Sequence, residues 1–253
     1  MEKWIYSFNK SIDEIENPSE LLGNKGAGLN LMTGLDLPVP QGFTILTKLN
    51  HYFQKNKSFP DEFENELIKN IFDLEKKSNC KFGSSTNPLL LSVRSGSQKS
   101  MPGMLDTILN IGFNKKVLEF YEKQNKPLFA WDTWRRFLHM FSHVVYKIEH
   151  FYFDEILDSY LLGAGLQFEK DLGVNDIQEI CSQYLTLIED RIGKPFPEDV
   201  NEQLMLSIKA VMESWFNERA IDYRRINDIP ADFGTAVNIQ RMVFGNLDDE
   251  RAP

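Results

Sequence analysis

Thiols are scarce in this 253-residue sequence, which carries only Cys80 and Cys181. The two lie far apart and neither belongs to a CxxC pair. That argues against a disulfide framework or a thiolate zinc site and suits a reducing compartment. Long apolar runs are missing too, since no window approaches the roughly 18 residues that a membrane span needs. The opening MEKWIYSFNKSIDE has neither an apolar core nor the Arg/Ser-rich character of a transit segment. Positive charge is in deficit, with 28 Lys and Arg against 37 Asp and Glu for a net charge of -9. Broad binding to nucleic acid or to an anionic membrane is therefore not expected, although a local cationic pocket is compatible with an acidic surface. No Walker A loop, GxGxxG or HExxH motif is present. The expectation is a soluble, cytoplasmic protein without nucleic-acid or membrane partners and without a metal cluster of its own.

A hydrophobic content of 42%, with 19 Phe, supports a packed core rather than disorder. The chain is long enough for one large domain or two smaller ones. Its chemistry concentrates between Pro88 and Gly112, in PLLLSVRSGSQKSMPGMLDTILNIG. The apolar run Leu89 to Val93, bounded by Asn87-Pro88 and by Ser-Gly, predicts a buried strand that delivers Arg94 to a polar loop. An arginine just past a strand end, beside Ser95 and Gly96, suits a forked grip on phosphate or carboxylate, since small neighbours let backbone N–H groups approach a ligand. An ion-paired arginine at a strand end is the plainer alternative. Upstream, LLGNKGAGL places Lys25 among three glycines and predicts a flexible loop running into a short helix. A phosphate could sit there, and a simple turn is the other reading.

Elsewhere the patterns are those of scaffold. Trp4 to Phe8 reads as a strand, and the Pro-punctuated turn at Leu37 to Gly42 leads into another. Phe63, Leu67, Ile71 and Leu74 recur at helical spacing. From Gly112 to about Pro197 only helical periodicity appears. Trp134, Phe137, Leu138, Phe141, Val144, Val145, Ile148 and Tyr152 mark one long helix, and a later one opens with Asn175 as cap and Gln178 three residues on. His139 and His143 have an i, i+4 spacing, but the intervening Met-Phe-Ser lacks a glutamate, so a solvated helix face is expected. Arg135 and Arg136 form a candidate second cationic cluster, with ordinary ion pairing favoured for at least one. Leu204, Ile208, Val211, Met212 and Trp215 lie on a third long helix between Asn201 and Asn227. Val237, Ile239, Arg241 and Val243 then alternate in a strand buried on at least one side. Asp106 reads as a lone acid, and Asp248-Asp249-Glu250 as a solvated tail.

Three of these stretches carry a resemblance. SVRSGSQKSMPGMLDTILNIG is similar to the signature of the pyruvate, phosphate dikinase family, and its Met-Pro-Gly-Met-Leu-Asp-Thr run separates it from the phosphoenolpyruvate synthases. LLGNKGAGL resembles the family's Gly-Gly-Lys-Gly-Ala-Asn-Leu segment, with Asn24 and Gly28 as departures. Gly234 to Asn246 resembles its Gly-Thr-Ala-Val-Asn-Val-Gln strand and hinge. Pro38 to Phe43 and Arg135-Arg136-Phe137 also have counterparts.

The resemblance implies an α+β (mixed α/β) fold, the first lobe of an ATP-grasp domain with a helical insert. The lobe is expected from residues 1–112 with 200–246, the insert from 113–199, and a tail from 247–253. It implies ATP as ligand, with Lys25 and Arg94 catalytic and in contact with the phosphates. Ser95, Gly96, Met104 and Thr107 would line the site, and backbone groups near Gln240, Met242 and Val243 would receive the base. The reaction implied converts ATP, pyruvate and phosphate to AMP, phosphoenolpyruvate and diphosphate through a phosphohistidine, in a homodimeric enzyme. The second lobe with its magnesium ligands, the phosphohistidine domain and the pyruvate-binding barrel have no counterpart in these residues, so this chain is expected to be inactive alone. The alternative is a non-catalytic nucleotide-binding or interaction module that keeps the fold.

Overall fold

The computed structural model describes residues 2–8 and 15–245. Asn246, the tail at 247–253 and its Asp248-Asp249-Glu250 run lie outside the described residues. The chain starts with β1 (Ile5–Ser7), α1 (Pro18–Gly34), β2 (Gly42–Ile45), α2 (Thr47–Asn56) and α3 (Asp61–Ser78). Next come β3 (Lys81–Phe82), β4 (Pro88–Leu89), β5 (Leu91–Gly96) and β6 (Thr107–Ile111). Helices α4 (Lys115–Lys123), α5 (Pro127–Tyr146), α6 (His150–Ala164), α7 (Val174–Ile192), α8 (Val200–Glu213) and α9 (Glu218–Ile226) follow, and β7 (Ala236–Arg241) ends the regular structure. This is a mixed α+β fold.

Among the described residues a five-stranded sheet runs β1-β2-β7-β5-β6, every pairing antiparallel, while β3 and β4 form a small parallel pair. Residues directly opposite one another in a ladder share a sheet face. Thr44 faces Asn238, Asn238 faces Arg94, and Arg94 faces Thr107. A row of polar side chains therefore crosses four strands on one face. The same registers put Ile45, Val237, Ile239, Val93 and Ile108 on the other face, where they are buried. Those side chains join a core that continues into α2, α3, α5, α7 and α8.

Local chemistry accounts for most helix boundaries. α3 has Asp61, Glu62 and Glu64 in its first turn, where negative charge complements the helix dipole. It buries Phe63, Leu67, Ile71 and Leu74 as one stripe and ends on Asn79 in the left-handed region. α5 buries Trp134, Phe137 and Phe141, which pack around Phe196 at ring-centroid distances of 5.1 to 5.7 Å. No helix among the described residues is long and apolar enough to cross a membrane.

Several boundaries differ from the sequence expectation. The long helix ends at Tyr146, where Lys147 turns left-handed at φ 58°, and Tyr152 belongs to α6. The cap of α7 is Gly173, whose N–H donates to Asp176, rather than Asn175. The helix expected from Asn201 to Asn227 breaks into α8, a 3-10 turn at Ser214–Phe216 and α9, because the Trp215 carbonyl accepts from the buried Arg224 guanidinium at 2.6 Å. The strand expected to stop before Arg94 runs on through Gly96, since it finds partners on both sides in β6 and β7. Leu90 sits between β4 and β5, and its carbonyl accepts from the Met242 N–H at 2.8 Å.

The loop expected before Leu29 is instead part of α1. Gly23 interrupts that helix at φ 66°, ψ 165°, a region that only glycine occupies at low cost. The break frees the Asn24 N–H to donate to the Ser97 carbonyl at 2.9 Å. A Cβ at Gly23 would collide with the Gly96 carbonyl, and one at Gly26 would lie 2.7 Å from Thr44 Oγ1. Helix α1 can press onto the polar sheet face only because these side chains are absent. Gly23→Ala is expected to destabilise the fold by about 3 kcal/mol, combining backbone strain with overpacking. Urea unfolding at constant m measures it, and a loss under about 0.5 kcal/mol would contradict this packing.

Candidate nucleotide site

Where α1 meets the end of β5, the two segments enclose a cleft of about 270 Å³. Lys25, Ser95, Gly96, Ser97 and Thr107 line it, with Pro102 and Gly103 from the loop between β5 and β6. Four of the sequence-predicted residues are thus brought together. Arg94 precedes Ser95 on the strand and shares its sheet face with Thr107.

The two cations are held by neutral oxygens. Lys25 Nζ donates to the Ser95 carbonyl at 2.8 Å, and Arg94 Nη2 donates to Gln240 Oε1. Burial lowers the Lys25 pKa, and the adjacent Arg94 charge lowers it further. Arg94 is lowered by burial as well. Among the described residues neither makes a salt bridge to a carboxylate, and Arg94 Nε is buried without a partner. Two neighbouring positive charges without a counterion, with a donor left over, form a site that gains energy from an anion.

The remaining predicted residues lie elsewhere. Met104, in the loop between β5 and β6, packs against Met101, Trp215 and Ala220 and is not in the cleft lining. The Gln240 side chain is committed to Arg94 and to the Pro40 carbonyl, and the Met242 N–H is taken by Leu90. Val243 is exposed.

Composition did not reveal the role of Asp106, which is no lone acid. It is buried and meets Arg219 and Lys147, with Asn217 Nδ2 donating to it at 3.1 Å. Its N–H donates to Ser214 Oγ at 3.2 Å, so the cleft loop is tied to the segment between α8 and α9. Asn238 was also missed. Its Oδ1 accepts from Thr44 at 2.9 Å, below Gly26. The available signal was a pair of amides, Asn238 and Gln240, alternating within an otherwise apolar strand.

A second cavity of about 550 Å³ lies beyond Thr107, lined by Arg135, Arg136, His139, His143, His150 and Arg219 among others. Both arginines are ion-paired. Arg135 is buried against Asp132 and Glu169 at 2.9 and 2.7 Å, and Arg136 lies 2.7 Å from Asp132. The histidines do not form a solvated helix face. His139 is half-buried, stacks on Phe153 at 4.5 Å, and has Nε2 2.7 Å from His150 Nδ1. Among the described residues no group of three or more His, Cys, Asp or Glu could hold a metal ion.

Fold and cleft together define a mixed α+β domain with a polar cleft at the end of β5, lined by Lys25 and close to Arg94. The family described as pyruvate phosphate dikinase, AMP/ATP-binding domain, matches residues 55–247. The chain belongs to that family. It is 43% identical over 249 residues to the pyruvate, phosphate dikinase of Clostridium symbiosum, covering 97% of this chain and 28% of the relative. Identity to that of Rickettsia prowazekii (strain Madrid E) is 47% over 251 residues, covering 98% and 28%. The chloroplastic pyruvate, phosphate dikinase 1 of Oryza sativa subsp. japonica is 41% identical over 247 residues, covering 97% and 26%. The chain thus spans little more than a quarter of the length of the curated relatives it matches.

The histidine cluster yields a pH dependence. Burial, followed by the His150 charge, lowers His139 from 6.5 to about 4. An unfolded chain takes up this proton below pH 6.5, whereas the folded one resists it until about pH 4. Stability present above pH 6.5 is therefore lost as the pH falls toward 4. The thermal midpoint of the wild type, relative to His139→Gln, should drop across that window, and parallel curves would show that His139 contributes nothing.

Proposed function

We propose that this chain is the nucleotide-binding portion of a pyruvate, phosphate dikinase, with the triphosphate of ATP lying between Lys25 and Arg94. The observation that carries the proposal is the closeness of these two cations, from separate elements, with Lys25 lining the cleft, Arg94 near enough to lower its pKa, and no salt bridge to a carboxylate at either among the described residues. Ser95 and Gly96 bring backbone close to the phosphates, and Thr107 closes the row on the far side.

The base belongs at the other end of β7. From the Ser95–Val237 pair to the Leu91–Arg241 pair is four residues, or about 13 Å at the usual strand rise. That is a reasonable span between the phosphates and the base of one nucleotide. With the Met242 N–H occupied, backbone groups beyond it, toward Val243, are the ones left for the base.

Family membership supports a phosphotransferase that converts ATP, pyruvate and phosphate to AMP, phosphoenolpyruvate and diphosphate. On that reading a phosphohistidine domain is the acceptor and the whole enzyme is a homodimer. Magnesium ligands are assigned to the part of the relatives that this chain does not span, since the described residues offer no ligand cluster. A cytoplasmic location suits the two buried free cysteines. Phosphoryl transfer depends on positioning plus charge neutralisation by protein and metal together. This chain supplies the cations alone, so it should bind nucleotide weakly and not turn over.

Calorimetric titration with ATP, with and without magnesium, and an assay for transfer to a separately supplied phosphohistidine domain test both halves of the proposal. The expected result is weak binding without transfer. Lys25→Ala and Arg94→Ala should each lose about 1.5 to 3 kcal/mol of binding, and Arg94→Ala in a full-length enzyme about 2.7 to 4 kcal/mol of transition-state stabilisation. Undiminished binding by both variants would remove the site, and measurable transfer by this chain alone would overturn its inactivity.

A further inference from the structure

Gln240 stands on the central strand of the sheet, opposite Gly42 and Ser92, and is buried. Its amide has two partners of opposite kind. The Pro40 carbonyl can only accept, and it lies 2.9 Å from Gln240 Nε2. The Arg94 guanidinium can only donate, and it meets Gln240 Oε1. These two one-way partners fix the amide orientation without ambiguity. Pro40 is anchored in turn, because the next carbonyl, that of Gln41, accepts from the Arg241 N–H at 2.9 Å. A chain of contacts thus runs from the Pro-rich turn before β2 through Gln240 to Arg94.

A carboxylate in the place of Gln240 would grip the guanidinium more tightly, since it adds an ion pair and a second acceptor oxygen to a bond whose donor is already charged. It would also cancel the charge, whereas an amide holds the arginine and leaves the charge available. Lys25 shows the same arrangement, tethered by the Ser95 carbonyl.

We propose that Gln240 is a positioning residue for Arg94, a neutral tether that aims the guanidinium on the cleft face of the sheet while leaving its charge for an anionic phosphate chain. This rests on the phosphate reading of the cleft given above. It assigns the Gln240 side chain to the phosphate end of the site, apart from any contact its backbone makes with a base.

The test uses this chain with inorganic tripolyphosphate as probe, and compares wild type with Q240E and Q240M. Q240E keeps the shape and the acceptor toward Arg94, supplies a counter-charge, and lacks the donor to the Pro40 carbonyl until it is protonated. Its affinity at pH 7.5 should fall about tenfold. The ratio to wild type should begin to close only as the pH falls below about 4.3, the ordinary glutamate value, because the Arg94 charge holds the introduced carboxylate ionised until late. A role in packing alone predicts no such pH-dependent recovery. Q240M removes the tether, so it should weaken binding at every pH.

A second measurement needs no ligand. Exchange of the Arg94 guanidinium protons, followed by nitrogen-resolved NMR, should be at least about tenfold faster in Q240M than in wild type, since a lost hydrogen bond exposes them. Should Q240M fail to fold, Q240E still decides through its pH profile. A Q240E to wild-type affinity ratio that stays near one, or Arg94 exchange unchanged in Q240M, overturns the positioning role. If wild-type chain does not bind tripolyphosphate while Q240M still accelerates Arg94 exchange, the tether stands and the phosphate reading of the cleft is what fails.

Discussion

The contact between α1 and the sheet is made by backbone on backbone, and the cleft depends on it. At Gly23 the helix lies so close to Gly96 that a single methyl group would not fit, and at Gly26 a Cβ would lie 2.7 Å from Thr44 Oγ1 and 3.0 Å from Asn238 Oδ1. Ordinary helix-on-sheet packing keeps side chains between the two layers. Removing that layer lowers Lys25 onto the Ser95 carbonyl and within electrostatic reach of Arg94. Holding two cations this close costs energy in the free protein, which a bound anion would return. The tethers limit that cost without spending the charge.

The rest of the molecule makes that geometry rigid. One sheet face is apolar and merges with the helical core, so the strands cannot slip by one residue without exposing Val237 and Ile239. The other face carries the row Thr44, Asn238, Arg94 and Thr107. The loop between β5 and β6 is fastened twice, by Met101 and Met104 packed against Trp215 and by Asp106 paired with Arg219 and Lys147. Functional loops held by scaffold in this way have little entropy to lose when a ligand arrives. Arg224, over the Trp215 ring at 4.2 Å and donating to its carbonyl, holds the scaffold beneath that loop.

Family membership and geometry support each other at separate points. The matched region runs from residue 55 to 247 and includes Arg94, the cleft loop and β7, whereas Lys25 lies before it and enters through the relatives, which align over nearly the whole chain. The helices from α4 to α7 share one core with the sheet, so what separates them from the rest is composition and topology rather than a break in packing.

What could be read from the sequence was what local periodicity and short-range chemistry decide. The stripe of Phe63, Leu67, Ile71 and Leu74 makes α3, the aromatic run from Trp134 to Phe141 makes α5, and the motifs around Lys25 and Arg94 mark two cations among small residues and carry the family resemblance. Other features depended on partners remote in the chain. The extension of β5 past Arg94 needed β7, whose Asn238 stands opposite it. The merging of the Gly23 loop into α1 needed the Ser97 carbonyl. Asp106 found Arg219, the histidines found one another across the turn between α5 and α6, and Gln240 turned its side chain to Arg94 and Pro40. The sequence by itself determined the strongly periodic helices and which residues carry charge, because those properties act within a few residues. Only the tertiary structure decided which charges meet, which are cancelled and which are left open, because Coulombic and hydrogen-bond energies depend on distances that the folded sheet alone sets.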